Sequence, residues 1–93
     1  TAFYILFCLQ EPQHGYGIGQ EVKAMTKGEV SISPGTMYGI LSKMEKDGLI
    51  RFVSEAEKRK IYEITELGRE ILTTEMNRIK RIYINSIGDE YNG

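Results

Sequence analysis

The 93-residue chain carries 12 Lys and Arg against 13 Asp and Glu, for a formal net charge of −1. This excludes a uniformly basic nucleic-acid coat, while 41% hydrophobic and 27% charged residues exclude a disordered tail. The length fits one domain, residues 1–93, with a core at 1–65 and a terminal helix at 66–88; only about 60–65% of so short a chain's surface is buried on folding, so a second copy would add stabilising contact.

The longest apolar run, residues 2–9, contains Phe3, Tyr4 and Phe7 and stops before Glu11-Pro12. It reads as a short helix buried all round, against its own domain or a partner. The run is too short to cross a bilayer and lacks the basic start of a signal peptide, so the expected location is cytoplasmic and no membrane contact is expected. Cys8 lies inside it with no second cysteine to pair with and reads as a small buried hydrophobe.

Ile18, Val22 and Met25 recur at helical spacing and Gly28 follows as a stop, which predicts a second helix over 16–27. Glycines at 15, 17 and 19 weaken its first turn and imply compensating close packing. Residues 30–32 suggest a short strand. Ser33-Pro34 then combines a capping hydroxyl with a proline suited to the first helical position, so a third helix begins there. Along it Met37, Ile40, Leu41 and Met44 form one stripe, with Thr36, Gly39, Ser42, Lys43 and Lys46 on the other side.

Gly48 ends that helix, and the β-branched and aromatic stretches 49–53 and 60–64 predict an antiparallel hairpin. Thr65 is a good cap for a last helix carrying Leu67, Ile71, Leu72, Met76, Ile79, Ile82 and Tyr83, longer than so small a core can cover. The fold class is α+β and mainly helical: a winged helix-turn-helix, three helices and a hairpin wing, with a long C-terminal dimerisation helix.

A catalytic reading finds little support, because one His, one Cys and no clustered acids offer neither a nucleophile with its base nor a metal site. No cofactor is expected. Gly15-Tyr16-Gly17-Ile18-Gly19 lacks the spacing, preceding strand and Lys-Ser/Thr ending of a phosphate loop. His14, beside a helix start, reads as a residue bonded to nearby backbone.

Reading DNA requires a helix free to enter the major groove, a bracing helix, and cations for the phosphates. Ser33, Pro34, Gly35, Thr36 and Tyr38 open such a helix with free amides and hydroxyls, and Lys43 and Lys46 add charge. Spacing alone equally fits a capped helix with solvated lysines. Arg51, Lys58, Arg59 and Lys60 gather on the hairpin that follows, although Glu55 and Glu57 dilute their charge.

Four motifs in order, Pro12-Gln13-His14-Gly15-Tyr16-Gly17-Ile18, Pro34-Gly35-Thr36-Met37-Tyr38-Gly39-Ile40-Leu41, Gly48-Leu49-Ile50, and Arg59-Lys60-Ile61-Tyr62-Glu63-Ile64-Thr65-Glu66-Leu67-Gly68, resemble the PadR family of transcriptional regulators over nearly the whole chain. The resemblance implies a DNA-facing segment from Ser33 to Tyr38 with Lys43, and wing contacts from Lys58, Arg59 and Lys60. It also implies a homodimer on double-stranded DNA, joined through the first and last helices, with Phe3, Tyr4, Phe7, Leu72, Met76, Ile79 and Tyr83 at the interface. The short tail looks like the family's smaller subgroup. A repressor acting on an inverted-repeat operator, released by a small aromatic effector of unidentified structure, is the implied function; the ligand-stacking tryptophan of some members has no counterpart, since the chain holds no Trp.

Two other readings remain open. One is a winged-helix protein-interaction module without DNA binding, to which the net charge is not opposed. The other is a small-molecule-binding enzyme using Tyr4, Tyr16, Tyr38, Tyr62 and Tyr83, residues that more commonly pack with the hydroxyl at the surface.

Overall fold

The computed structural model describes residues 1–92, with side-chain exposure described through residue 87. In chain order the elements are α1 (Ala2–Cys8), β1 (Gln13–His14), α2 (Gly15–Met25), α3 (Pro34–Lys46), β2 (Ile50–Ala56), β3 (Arg59–Ile64) and α4 (Glu66–Asn92). The strands form one antiparallel sheet in the order β1-β3-β2. Ile5 and Leu9 from the α1 region, Ile18 and Val22 from α2, Leu41 from α3, Ile50 from β2 and Leu72 from α4 meet in the centre, each at most 2% exposed. Burying each such side chain stabilises the fold by about 1.5–3 kcal/mol.

One expectation about strands changes. Residues 30–32 form no strand; Val30 and Ile32 instead rest half-buried on the core as the chain runs to α3. The free edge of β3 is occupied by Gln13 and His14, paired with Tyr62 and Ile61. Within its own subunit α1 is covered on one side. Ile5, Leu6 and Cys8 face inward, whereas Phe7 is 37% exposed and Phe3 and Tyr4 are half-buried.

The three glycines of α2 do not prevent its first turn, because His14 caps it: Gly17 N–H donates to His14 Nδ1 at 3.0 Å. The end of α3 is equally specific. Gly48 takes φ +79°, a left-handed geometry that favours glycine, while Leu49 N–H donates to the Met44 carbonyl at 2.9 Å.

Thr65 then joins α3 to α4. Its hydroxyl donates to the Gly48 carbonyl at 2.6 Å and accepts from Gly68 N–H at 3.1 Å, while its own N–H donates to the Leu49 carbonyl at 3.0 Å. Gly68 sits so close to this turn that a Cβ there would lie 2.1 Å from the Leu49 carbonyl oxygen and 2.8 Å from Ile64 Cγ1.

Of the residues expected at a dimer interface, Leu72 is 2% exposed and belongs to the subunit's own core. It lies one turn beyond Gly68, on the face of α4 held against α1 by the junction. Farther along, the same face continues through Met76, Ile79, Ile82 and Tyr83, which are 42–64% exposed. The helix has 27 residues, about 40 Å, and its later turns overhang the core.

Gly68→Ala is expected to destabilise by the upper part of the ~1–3 kcal/mol range for overpacking, lowering Tm by roughly 10–20 °C. Gly35→Ala, where a Cβ meets nothing within 4 Å, should leave Tm unchanged or raise it. Equal Tm changes in the two melting curves would contradict the tight junction.

Cys8 provides a second check. Burial, and then the neighbouring Glu21 carboxylate, push its thiol up to about 12 from an ordinary 9.0. The unfolded chain therefore releases a proton that the folded chain keeps, so this contribution is intact below about pH 9 and lost progressively as pH rises toward 12. In urea unfolding at alkaline pH, Cys8→Ala should show a shallower decline of stability with pH. The slope that remains includes Tyr62, whose hydroxyl is also pushed up by burial, Glu45 and Tyr38. An unchanged slope would mean that the thiol ionises freely in the fold.

Candidate nucleic-acid interface

Ser33 leaves the chain extended at φ −67° and ψ 153°, and its Oγ accepts from Thr36 N–H at 3.3 Å while donating to Thr36 Oγ1 at 3.0 Å. Pro34 follows in the first turn. The helix so started buries Met37, Leu41 and Met44, with Ile40 half-buried beside them. Ser33, Pro34, Gly35, Thr36, Tyr38 and Lys43 are all exposed.

At about 100° per residue, Gly35, Gly39, Ser42 and Lys46 occupy the outermost strip of α3, opposite the buried stripe. A Cβ at Gly35 or Gly39 would meet no atom within 4 Å. The fold does not require these glycines for packing, and their effect is a bare helix backbone facing outward.

Lys43 lies on one flank of that strip and Tyr38 on the other. Lys43 Nζ is 3.3 Å from Asp47 Oδ2 in an exposed pair, worth only about 0.3–0.5 kcal/mol and easily exchanged for another anion. It borders an apolar groove of about 460 Å³ shared with Phe3, Leu6, Ile71 and Glu75. Tyr38 instead faces α2 and the hairpin, across a cleft from Tyr16 and Arg59. The expected contact residues thus form two groups on α3 rather than one.

The hairpin is a two-residue turn, with Ala56 opposite Arg59 and both Glu57 and Lys58 at positive φ, +52° and +66°. Such a turn matches the strands' right-handed twist. Between Phe52 and Ser54 the register shifts around Val53, a bulge that bends the strand. Lys58 and Lys60 are exposed, Lys60 lying cross-strand from Glu55. Arg59 turns back, its guanidinium 5.0 Å from the Tyr16 ring centroid. Arg51 is ion-paired with Glu63, its Nε donating at 2.7 Å, so it adds little free charge to the wing.

Tyr16, Gln20 and Lys23 on α2 were not singled out as contact residues, yet they line the cleft beside α3. Their signal is the i, i+4, i+7 spacing of one polar helix face, present in the helix expected over 16–27, but only the packing of α2 beside α3 shows that this face lines a cleft.

Residues 5–74 match the model of the family described as "Transcriptional regulator PadR-like family". A protein from Lysinibacillus sphaericus described as "Uncharacterized protein X" is 35% identical over 69 residues, which is 70% of this chain and 63% of that protein, so the chain spans less than two thirds of that relative's length. A transcriptional regulator from Clostridium thermocellum superposes with a TM-score of 0.76 at 25% identity, covering 92% of this chain and 90% of that one. The fold is also similar to Bacillus subtilis PadR, solved in complex with operator DNA, with a TM-score of 0.72 at 24% identity over 81% of this chain and 45% of that one. The chain therefore belongs to the PadR-like family of transcriptional regulators, and it shares the fold of the solved regulators.

Proposed function

We propose that this protein regulates transcription as a homodimeric repressor that places α3 in the major groove of an inverted-repeat operator. The observation that carries this reading is the exposure of α3's outer side, from Ser33 to Lys46, while its opposite stripe is locked into the core. Gly35 and Gly39 allow the helix backbone to approach base edges, and Ser33, Thr36, Tyr38 and Lys43 supply donors. Lys58 and Lys60 supply phosphate contacts from the wing. The operator complex of Bacillus subtilis PadR supports the same use of the scaffold.

Dimerisation is assigned to the exposed α4 face, Met76, Ile79, Ile82 and Tyr83, together with Phe3, Tyr4 and Phe7 of α1. A two-fold dimer would set its α3 helices about 34 Å apart, one turn of duplex. A small aromatic effector would release DNA by binding one spacing of the two helices better than another, since a ligand shifts an equilibrium only by its differential affinity. This reading places the protein in the cytoplasm; among the described residues no helix is long and apolar enough to cross a membrane.

The rival reading is a winged module that binds another protein, consistent with the net charge of −1. Titration with duplex DNA across a salt series discriminates. If a dimer neutralises about 8 phosphates, log affinity should fall against log salt with a slope of roughly −7; absence of binding at low salt would favour the rival.

Two variants test the parts. Ile79→Glu should yield a folded monomer by light scattering and lose most DNA affinity, whereas an intact dimer would remove α4 from the interface. Lys43→Ala should cost about 1–3 kcal/mol on a selected sequence if the lysine reads a base, and an equal, smaller amount on selected and random DNA if it touches phosphate. Unchanged affinity on both would take Lys43 out of the contact surface.

A further inference from the structure

We propose that the cleft between α2 and the start of α3 binds a free nucleotide, its base laid on Tyr38 and its phosphate held by Lys23 and Arg59. The bound nucleotide stands where a duplex would reach α3, which makes the cleft an effector site. That consequence, though not the binding itself, rests on the DNA-binding reading above.

Small-molecule sites are concave and largely preformed, with a few convergent polar groups set on apolar or aromatic walls. The cleft has a volume of about 400 Å³, and its floor is close-packed, since a Cβ on Gly15 would lie 3.2 Å from Met37 Cγ. Tyr38 forms one wall, its ring 56% exposed. Among the described residues no other ring and no cation stacks on it, so it is available to a planar guest. The opposite wall is built differently. Tyr16 is braced by the His14 ring, stacked at 6.4 Å and 29°, and carries the Arg59 guanidinium 5.0 Å from its centroid. His14 is itself fixed by the capping bond from Gly17 N–H. One tyrosine is thus a free platform, and the other holds a cation in place before any ligand arrives.

Lys23 is the second cation, and among the described residues no carboxylate lines the cleft, in a chain where acids outnumber bases, 13 to 12. Two uncompensated cations match a phosphate monoester, which carries nearly two negative charges at neutral pH, better than they match the single charge of a carboxylate. Gln20 adds an amide with both a donor and an acceptor, the pair of groups that the edge of adenine answers. Stacking on an open ring accepts any base, because every base has a π-face. These features converge on a nucleotide: a free anion leaves the ring unused, an acidic peptide offers no planar base, and an aromatic carboxylate leaves one cation unmatched. Pro34 and Tyr38 belong both to this cleft and to α3's exposed first turns, so a nucleotide in the cleft and a duplex on α3 compete for the same Tyr38.

The test uses the whole chain and isothermal titration calorimetry, with adenosine 5′-monophosphate, adenosine and inorganic phosphate as separate probes. The monophosphate should bind about tenfold more tightly than either of the others, because only it engages the ring and both cations at once. Tyr38→Ala should weaken it about tenfold through lost stacking. Lys23→Gln should weaken it several-fold and leave adenosine unchanged, whereas Lys80→Gln, on the far part of α4, should change neither; circular dichroism confirms that each variant is folded. The assignment falls if the monophosphate does not bind, or if Lys80→Gln weakens it as much as Lys23→Gln. It also falls if inorganic phosphate binds as tightly and Tyr38→Ala is silent, which would leave an anion patch, or if benzoate displaces the monophosphate at equal concentration, which would leave a site for any aromatic anion. The effector role is read from the anisotropy of a labelled duplex, whose apparent affinity should drop about tenfold with the nucleotide at about ten times its Kd. Nucleotide binding that leaves duplex affinity unmoved overturns that role. If the wild type binds the monophosphate but no duplex, the DNA-binding reading fails and the nucleotide site stands.

Discussion

The architecture depends on how one hydroxyl is shared. Thr65 Oγ1 gives its proton to the carbonyl that ends α3 and receives one from the amide of Gly68 in the first turn of α4. Gly68 has no side chain, and the 2.1 Å separation that a Cβ would have from the Leu49 oxygen shows why none fits. The helix with the exposed outer strip and the helix with the exposed apolar face are thus connected through a rigid, fully bonded corner rather than a linker. The wing leaves the same corner, since Thr65 N–H bonds to Leu49 immediately before β2.

Charge acts locally in this molecule. A net charge of −1 gives no long-range attraction to a polyanion, and two of the candidate cations are already engaged, Arg51 with Glu63 and Lys43 with Asp47. The exposed Lys43 pair costs little to exchange. What distinguishes the α3 side is the arrangement around it: Lys46 on its outer strip, Lys58 and Lys60 on the wing, and Lys23 with Arg59 at the cleft.

Elements with a local chemical signature were legible from residues alone. Ser33-Pro34 marks the start of α3 because both preferences act within one turn, and Thr65 marks the start of α4 for the same reason. The hairpin was visible from its β-branched strands, though its turn is built from Glu57 and Lys58, not from glycine or asparagine. Elements defined by what lies across from them were not legible. Gln13 and His14 have no alternating pattern and become a strand only because β3 offers an edge, whereas the β-branched 30–32 stretch finds no partner strand. Leu72 and Ile79 share a helical face, yet one is core and the other exposed, and periodicity cannot tell where a subunit's own core stops. Within the candidate site the opening of α3 was readable, while Tyr16 and Lys23 became visible only when the packing of α2 on α3 created a cleft.

The overhang of α4 has a mechanical meaning. A helix of 27 residues held rigidly at the Thr65 corner is a lever of about 40 Å fixed to its subunit. A rotation of the subunit by about 5° about the far end of that helix sweeps the corner through roughly 3.5 Å, close to the 3.4 Å rise between neighbouring nucleotides. In a pair of subunits joined by their far ends, a tilt that small would shift one half-site by a whole base step relative to the other.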